Sequence, residues 1–139
     1  MKQEDISNMK DLHVLYIEDD MELQECFGAV LEKIFNKLTV ASNGQEGLDL
    51  LMNKENHFDF IISDIEMPKM SGLDMIKELR KTGSNIPCIL TTAHGEFDYF
   101  MRANDLGVFR YIQKPLDIQE ILEAICDNQR GLEVKKIDL

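Results

Sequence analysis

The chain contains 139 residues, with 26 Asp and Glu against 15 Lys and Arg, so its formal net charge at pH 7 is −11. This length is typical of one domain, and 44% hydrophobic with 29% charged residues indicates a folded globular protein and not a disordered tail. A pI near 4.6 argues against binding to a nucleic-acid backbone or an anionic membrane surface, because both require clustered Lys and Arg.

Short apolar segments at residues 12–17, 38–40, 58–63, 86–91 and 108–112 predict five strands. Helical patterns follow them: an apolar stripe over 23–34, capping residues at Asn43, Ser71 and Asp117, and a helix over about 95–106. The βα order repeats five times. It therefore predicts an α/β fold, a (βα)5 doubly wound five-stranded parallel sheet with helices on both faces.

Three acids, Glu18, Asp19 and Asp20, directly follow the first predicted strand. Adjacent carboxylates repel each other unless a cation or solvent offsets their charge. An ordinary explanation also exists, because Asp19 or Asp20 is well placed to cap the helix that follows. Both interpretations stay open for these residues alone.

Single polar residues close three other strands: Asp64, Thr92 and Lys114. Each has an ordinary explanation, since Asp starts turns, Thr is a common strand residue, and a lone Lys is usually solvated. However, ligand sites in such sheets lie outside the carboxyl ends of the strands, so we expect these side chains to converge. Oxygen ligands at this density suit Mg²⁺, and no zinc-ligand spacing is present. A carboxylate beside Mg²⁺ and Lys is also a competent nucleophile towards phosphorus.

Four blocks of sequence resemble the response-regulator receiver domain, the CheY-like phospho-acceptor module of two-component signalling. They are VLYIEDD at 14–20, DIEMPKMSG at 64–72, ILTTA at 89–93 and YIQKP at 111–115. The resemblance covers about residues 10–128, and D-x-x-M-P-x-M-x-G is a highly specific motif. It implies a flavodoxin-like, CheY-like fold.

The resemblance also implies a metal and phosphoryl site. Asp64 corresponds to the phospho-acceptor. Asp19 corresponds to the principal acidic ligand of Mg²⁺, with Mn²⁺ as a substitute, and Glu18 acts directly or through water. Asp64 is itself a metal ligand, and the backbone carbonyl of Glu66 matches the third protein ligand.

A second group of residues corresponds to the switch of such domains. Thr92 matches the hydroxyl that moves towards the phosphoryl group, and Lys114 matches the lysine that pairs with it. Tyr111 matches the aromatic residue that turns inward as the hydroxyl moves, and the Lys114–Pro115 bond is expected to be cis. Glu66 and His94 flank the approach of water, at positions that tune the lifetime of the phosphoryl group in similar domains.

The implied partner is a sensor histidine kinase or a phosphotransfer protein that donates the phosphoryl group. An output domain or target protein is expected to bind the face formed by the fourth helix, fifth strand and fifth helix of the repeat, which is also the face of a phosphorylation-dependent dimer. Four bulky residues crowd that fourth helix: Phe97, Tyr99, Phe100 and Met101. They either pack on the sheet or form a partner-binding patch.

The chain is expected to be a cytoplasmic signalling switch and not an enzyme acting on other substrates. Its three cysteines, an odd number without a CxxC pair, indicate reduced thiols. No segment approaches the ~18 apolar residues of a membrane span, and the polar start lacks a signal-peptide core. Direct nucleic-acid binding and membrane insertion are not expected.

Two other classes of protein were weighed against a receiver domain. Haloacid-dehalogenase-type phosphatases use similar chemical groups, but their nucleophile precedes the acidic pair, whereas here the acidic pair comes first. A flavodoxin-like nucleotide binder would need a Gly-rich loop after the first strand, which this sequence lacks.

The predicted organisation is a polar N-terminal tail over 1–10, a receiver domain over 11–128, and a C-terminal tail or linker start over 129–139. A stand-alone receiver and a receiver taken from a longer regulator or hybrid kinase both remain open.

Overall fold

The computed structural model describes residues 3–131, in which helices and strands alternate along the chain. The strands are β1 (His13–Ile17), β2 (Lys37–Ala41), β3 (Phe60–Asp64), β4 (Cys88–Thr92) and β5 (Arg110–Gln113). The helices are α1 (Gln3–Met9), α2 (Met21–Ile34), α3 (Gly44–Met52), α4 (Gly72–Lys81), α5 (Phe97–Asp105) and α6 (Ile118–Gln129).

The strands form one parallel sheet in the order β2-β1-β3-β4-β5, which confirms the predicted α/β fold. The last three strands begin two residues later than predicted. Phe58, Ile86 and Val108 are apolar and pack in the core, yet they precede the hydrogen-bonded ladder. Hydropathy reports burial and not backbone pairing, so the apolar run starts before the strand does.

The sheet separates two hydrophobic clusters, because alternate residues of a strand point to opposite faces. On β1, Val14 and Tyr16 pack in one cluster, while Leu15 and Ile17 pack in the other. The first cluster includes α2 and α6, and the second includes α4. Burial on both faces explains why the central strands are almost entirely apolar.

The capping residues predicted from the sequence occupy the expected positions. Asn43, Ser71 and Asp117 each accept a hydrogen bond from a backbone N–H in the first turn of their helix. Asp20 caps α2 in the same way, with Leu23 N at 3.1 Å from its Oδ1. The capping function therefore belongs to Asp20, which leaves Asp19 and Glu18 for another role.

The polar segment 1–10 contains a helix that the sequence did not predict. Met9 at the end of α1 is buried, and Ile6 packs against the first cluster. Asp5 also pairs with Arg130 just beyond α6, at 2.8 Å. A seven-residue helix with few apolar positions has no strong pattern of its own. It is stabilised by contact with α6, and not by local propensity.

Because α1 precedes the βα repeat, the fourth and fifth helices of the repeat are α5 and α6. The predicted output face therefore consists of α5, β5 and α6. Residues 132–139 of the predicted C-terminal tail lie outside the described residues. None of the helices within 3–131 is long and apolar enough to cross a membrane.

Candidate phosphoryl-acceptor site

The candidate site lies at the carboxyl edge of the sheet, where neighbouring strands bring distant residues together. Glu18 and Asp19 follow β1, Asp64 ends β3, and Thr92 ends β4. Lys114 follows β5 after Gln113. Since β1, β3, β4 and β5 are consecutive in the sheet, all these residues line one edge.

Lys114 connects two carboxylates of this edge. Its Nζ lies 2.8 Å from Oε1 of Glu18 and 3.4 Å from Oδ2 of Asp64. Glu18 is 1% exposed and Asp64 is 6% exposed, so both are removed from solvent. Buried carboxylates require hydrogen-bonding and charged partners, and Lys114 supplies both. Burial alone would lower the pKa of Lys114, but the hydrogen bond with Glu18 and the charge of Asp64 outweigh it and raise that pKa.

Asp64 has an unusual protonation equilibrium. Burial, followed by the negative charge of Glu18, raises its pKa from 3.8 to about 7, although Lys114 and the Ile65 N–H oppose this shift. The Ile65 N–H donates to Oδ1 of Asp64 at 2.9 Å. The carboxyl is thus held in a fixed orientation at the end of β3, in an environment that disfavours its charge.

Three carboxylates of the edge form an acidic cluster. Glu18, Asp19 and Asp64 each offer one oxygen atom, and these atoms lie within 4.8 Å of one another. Three hard oxygen ligands suit Mg²⁺ in their number and chemistry. The backbone carbonyl of Glu66, which the sequence also predicts as a ligand, stays a prediction.

The loop after β3 is shaped by one glycine. A side chain at Gly72 would overlap the carbonyl oxygen of Asp64, so only glycine lets α4 begin directly against the end of β3. The Gly72 N–H also donates to the carbonyl of Ile65 at 2.9 Å. On the other side of the sheet edge, the Lys114–Pro115 bond is cis, as the sequence predicted.

The hydroxyl of Thr92 is buried, and two acceptor oxygen atoms lie within hydrogen-bond distance of it. Its Oγ1 lies 3.0 Å from Oε1 of Glu66 and 2.9 Å from the carbonyl oxygen of His94. The other carboxylate oxygen of Glu66 lies 3.7 Å from Nε2 of His94. The Tyr111 hydroxyl donates to the same His94 carbonyl at 3.4 Å. Sequence reasoning placed Glu66 beside the site but missed its contact with Thr92, which depends on side-chain geometry.

The aromatic residues of α5 differ in environment. Phe97 is 58% exposed, whereas Phe100 is half-buried. The rings of Phe100 and Tyr111 are 4.0 Å apart between centroids. Tyr99 packs against the second hydrophobic cluster. These residues therefore do not form one uniform patch, because Phe97 faces solvent while Tyr99 and Phe100 contact the second cluster or Tyr111.

An apolar cavity of about 550 Å³ lies beside Lys114. Its lining comes from α2 and the segment after β5: Leu23, Cys26, Phe27, Val30, Ala93, Lys114, Pro115 and Leu116. The sequence predicted the α2 stripe as a core-facing surface, yet Leu23 is 38% and Val30 is 37% exposed. The stripe is wider than the sheet covers, so its outer part remains on the surface.

The family model described as the response regulator receiver domain matches residues 14–126. The chain belongs to the response regulator receiver domain family. Among its relatives is the transcriptional regulatory protein GlrR of Escherichia coli, 35% identical over 118 residues. That match covers 85% of this chain and 26% of GlrR, so the chain spans about a quarter of the relative.

Other relatives and solved structures agree with this assignment. Sporulation initiation phosphotransferase F of Bacillus subtilis is 28% identical, over 84% of this chain and 93% of the relative. A response regulator receiver domain protein from Clostridium thermocellum matches with a TM-score of 0.77 and 31% identity, over 86% of this chain and 97% of that chain. The N-terminal domain of a Wolinella succinogenes protein matches with a TM-score of 0.79 and 31% identity, covering 86% and 95% of the two chains.

Proposed function

We propose that Asp64 is the phospho-acceptor of this receiver domain and that its phosphorylation switches the surface formed by α5, β5 and α6. The observation that carries the proposal is the buried Asp64 carboxyl, held at one oxygen by the Ile65 N–H and lying 3.4 Å from the Lys114 ammonium at the other. An oriented carboxylate beside a fixed cation is suited to attack phosphorus.

The reaction forms one bond and breaks another. An oxygen of ionised Asp64 attacks the phosphorus of a phosphohistidine, the phosphorus–nitrogen bond breaks, and the histidine leaves with the bonding electron pair. Lys114 remains within reach of the transferred group and offsets its charge. With a small acyl phosphate, the bond that breaks is between phosphorus and the carboxylate oxygen.

The acidic cluster supports a requirement for Mg²⁺, with Mn²⁺ as a substitute. Glu18, Asp19, Asp64 and the carbonyl of Glu66 are the proposed ligands. Bound there, the ion would neutralise charge on the transferring phosphoryl group. Without a cation, burial and then the negative charge of Glu18 raise the pKa of Asp64 to about 7, so part of the population is protonated at pH 7.

The proposed phosphoryl donor is a sensor histidine kinase or a phosphotransfer protein. A donor must bring its histidine to the carboxyl edge of the sheet, and the apolar cavity beside Lys114 is continuous with that edge. Leu23 and Val30 offer partly exposed apolar surface for the donor to cover. Three free thiols favour a cytoplasmic location, because cysteines are kept reduced there.

The proposed output follows from the residues around Thr92. When the hydroxyl of Thr92 moves to the phosphoryl group, it leaves its contact with the His94 carbonyl, to which Tyr111 also donates. Tyr111 stacks on Phe100, so its rearrangement changes the outer surface of α5 and β5. Binding of an output domain, a target protein or a second copy would then change by population shift.

Intact-mass spectrometry after incubation with acetyl phosphate and Mg²⁺ tests the proposal. Wild type is expected to gain one phosphate, with Mn²⁺ able to replace Mg²⁺ and chelation preventing uptake. Asp64→Ala is expected to gain none, while Asp59→Ala, at the opposite end of the sheet, serves as the matched control. Uptake that survives Asp64→Ala, or continued turnover of an unrelated phosphate ester, would refute the assignment.

A further inference from the structure

The Thr92 hydroxyl has hydrogen-bond acceptors other than the proposed phosphoryl group on Asp64. Thr92 is 0% exposed, and its Oγ1 has two acceptors in reach: Oε1 of Glu66 at 3.0 Å and the His94 carbonyl at 2.9 Å. The His94 N–H donates back to Oγ1 at 3.2 Å. The carboxylate is the stronger of the two acceptors, because charge-assisted hydrogen bonds are roughly twice as strong as neutral ones.

The contact conflicts with what phosphorylation requires of Thr92. A hydroxyl has a single proton to donate. If Thr92 donates to a phosphoryl oxygen on Asp64, its hydrogen bond to Glu66 must break, and the Glu66 carboxylate must find water instead. Glu66 is on the exposed side of the loop after β3, with a side chain that is 38% exposed, so water can replace Thr92.

We propose that the side chain of Glu66 is a positioning residue that holds Thr92 in its unphosphorylated arrangement and so weakens retention of a phosphoryl group. The inference rests on the proposed function and deepens it. Glu66 acts by competing for the Thr92 proton, and this competition biases the switch towards the unphosphorylated state.

The surrounding contacts fix Glu66 and connect it to the switch surface. Nε2 of His94 lies 3.7 Å from the second carboxylate oxygen of Glu66, which orients the carboxylate towards Thr92. The His94 carbonyl accepts from both Thr92 and Tyr111. When the Thr92 hydroxyl moves away from Glu66, it also leaves the His94 carbonyl that binds Tyr111, and the Tyr111 ring contacts Phe100.

A simpler explanation would be that Glu66 repels the phosphoryl group through space, and a double-mutant cycle separates the two. The measured quantity is the dissociation constant of beryllium fluoride, a phosphoryl analogue, in the presence of Mg²⁺. Glu66→Ala keeps the backbone carbonyl of residue 66 and is compared in the wild-type and Thr92→Ala backgrounds. Labelling with 3-fluorotyrosine allows binding to be followed at Tyr111 by ¹⁹F NMR, with Tyr111→Phe assigning the signal.

In the wild-type background, Glu66→Ala is expected to tighten analogue binding about tenfold, the size of one charge-assisted hydrogen bond. In the Thr92→Ala background the same change should alter affinity less than twofold. Glu66→Gln keeps an oxygen acceptor and should fall between wild type and Glu66→Ala. Glu96→Ala removes another exposed carboxylate near Tyr111, one without a side-chain capping hydrogen bond, and should change affinity less than twofold.

Equal tightening in both backgrounds would overturn the inference, since repulsion needs no Thr92. No tightening in Glu66→Ala would overturn it as well, as would Glu66→Gln behaving like Glu66→Ala. The ¹⁹F signal of Tyr111 in the analogue-free protein is expected to shift towards its bound position in Glu66→Ala. If wild type neither binds the analogue nor is phosphorylated on Asp64, the proposed function fails. That result is distinct from failure of the Glu66 inference, in which wild type still binds the analogue.

Discussion

Nζ of Lys114 lies 2.8 Å from Oε1 of Glu18, although 96 positions of the chain separate the two residues. Strands β3 and β4 lie between the strands that carry them, so the two long side chains meet at the carboxyl edge of the sheet. Glu18 is 1% exposed, so its charge would be costly without this partner. The same ammonium lies 3.4 Å from Oδ2 of Asp64 and thereby bridges two members of the acidic cluster.

Lys114→Met removes the cation that offsets both buried carboxylates. The pKa of Asp64 is expected to rise further above 7, because Lys114 lowers it in the wild type. Phosphorylation by acetyl phosphate at pH 7 should fall at least about tenfold, since a smaller fraction is ionised and the transferring charge is no longer offset. A ¹³C NMR titration of the Asp64 carboxyl carbon and initial rates by intact mass check these effects. Lys81→Met, in an exposed pair with Glu78, is the control and should leave both unchanged.

Asp64 should make the metal-free protein less stable as the pH rises. Its pKa is about 7 in the folded state against an ordinary 3.8, so between these values the folded state holds a proton that the unfolded chain has lost. The stabilisation is complete below about pH 4 and is lost as the pH rises through 7. At pH 8 Asp64→Asn should be more stable than wild type by up to about 4 kcal/mol, since one pKa unit is about 1.4 kcal/mol.

Urea denaturation from pH 4 to pH 8, with a chelator present, measures this difference. The gap between Asp64→Asn and wild type should widen with pH over that interval. A constant gap would show that Asp64 does not titrate differently in the folded state. Addition of Mg²⁺ at pH 8 should stabilise the wild type more than Asp64→Asn, because a bound ligand stabilises only the form that binds it.

Phe97→Asp is expected to weaken association at the α5 surface without changing phosphorylation of Asp64. Phe97 is 58% exposed, so the free energy of unfolding should change by less than about 0.5 kcal/mol. Phe100→Asp is the contrasting variant. Because the Phe100 ring contacts Tyr111, this substitution should lower the free energy of unfolding by about 1–3 kcal/mol. Sedimentation of the beryllium fluoride complex measures association, and intact mass after incubation with acetyl phosphate measures phosphorylation. Loss of phosphate uptake in Phe97→Asp would contradict a purely surface role.

Met9→Ala tests whether α1 is part of the fold. Met9 is 1% exposed and packs in the first hydrophobic cluster, so the variant should lose about 2–5 kcal/mol of unfolding free energy. Met52→Ala is matched in chemistry but 41% exposed, and should lose less than about 1 kcal/mol. Both variants should take up one phosphate. If urea denaturation shows that Met9→Ala and Met52→Ala lose the same free energy of unfolding, α1 contributes little to stability.

Periodicity and motif spacing were sufficient to predict the parallel sheet, three of the helix caps and the convergence of residues at one edge. These features depend on local rules: a strand buried on both faces must be apolar, and the carboxyl ends of parallel strands lie together. The position of Asp64 was predictable for this reason, and so was that of Thr92 in the next strand.

Other features depend on which side chains meet after folding. Asp19 and Asp20 were equally good capping candidates by sequence, and only the hydrogen bond from Leu23 N assigned the cap to Asp20. Helix α1 has too few apolar residues for a recognisable pattern and exists because α6 offers it a docking surface.

The sequence by itself determined the family of this protein and the chemical identity of its carboxylates, hydroxyl and lysine, because these follow from residue type and spacing. The tertiary structure alone decided that Lys114 bridges Glu18 and Asp64, and that Oε1 of Glu66 lies 3.0 Å from Oγ1 of Thr92. Such contacts depend on rotamers and on distances of a few ångströms between residues far apart in the chain, and no local pattern encodes them.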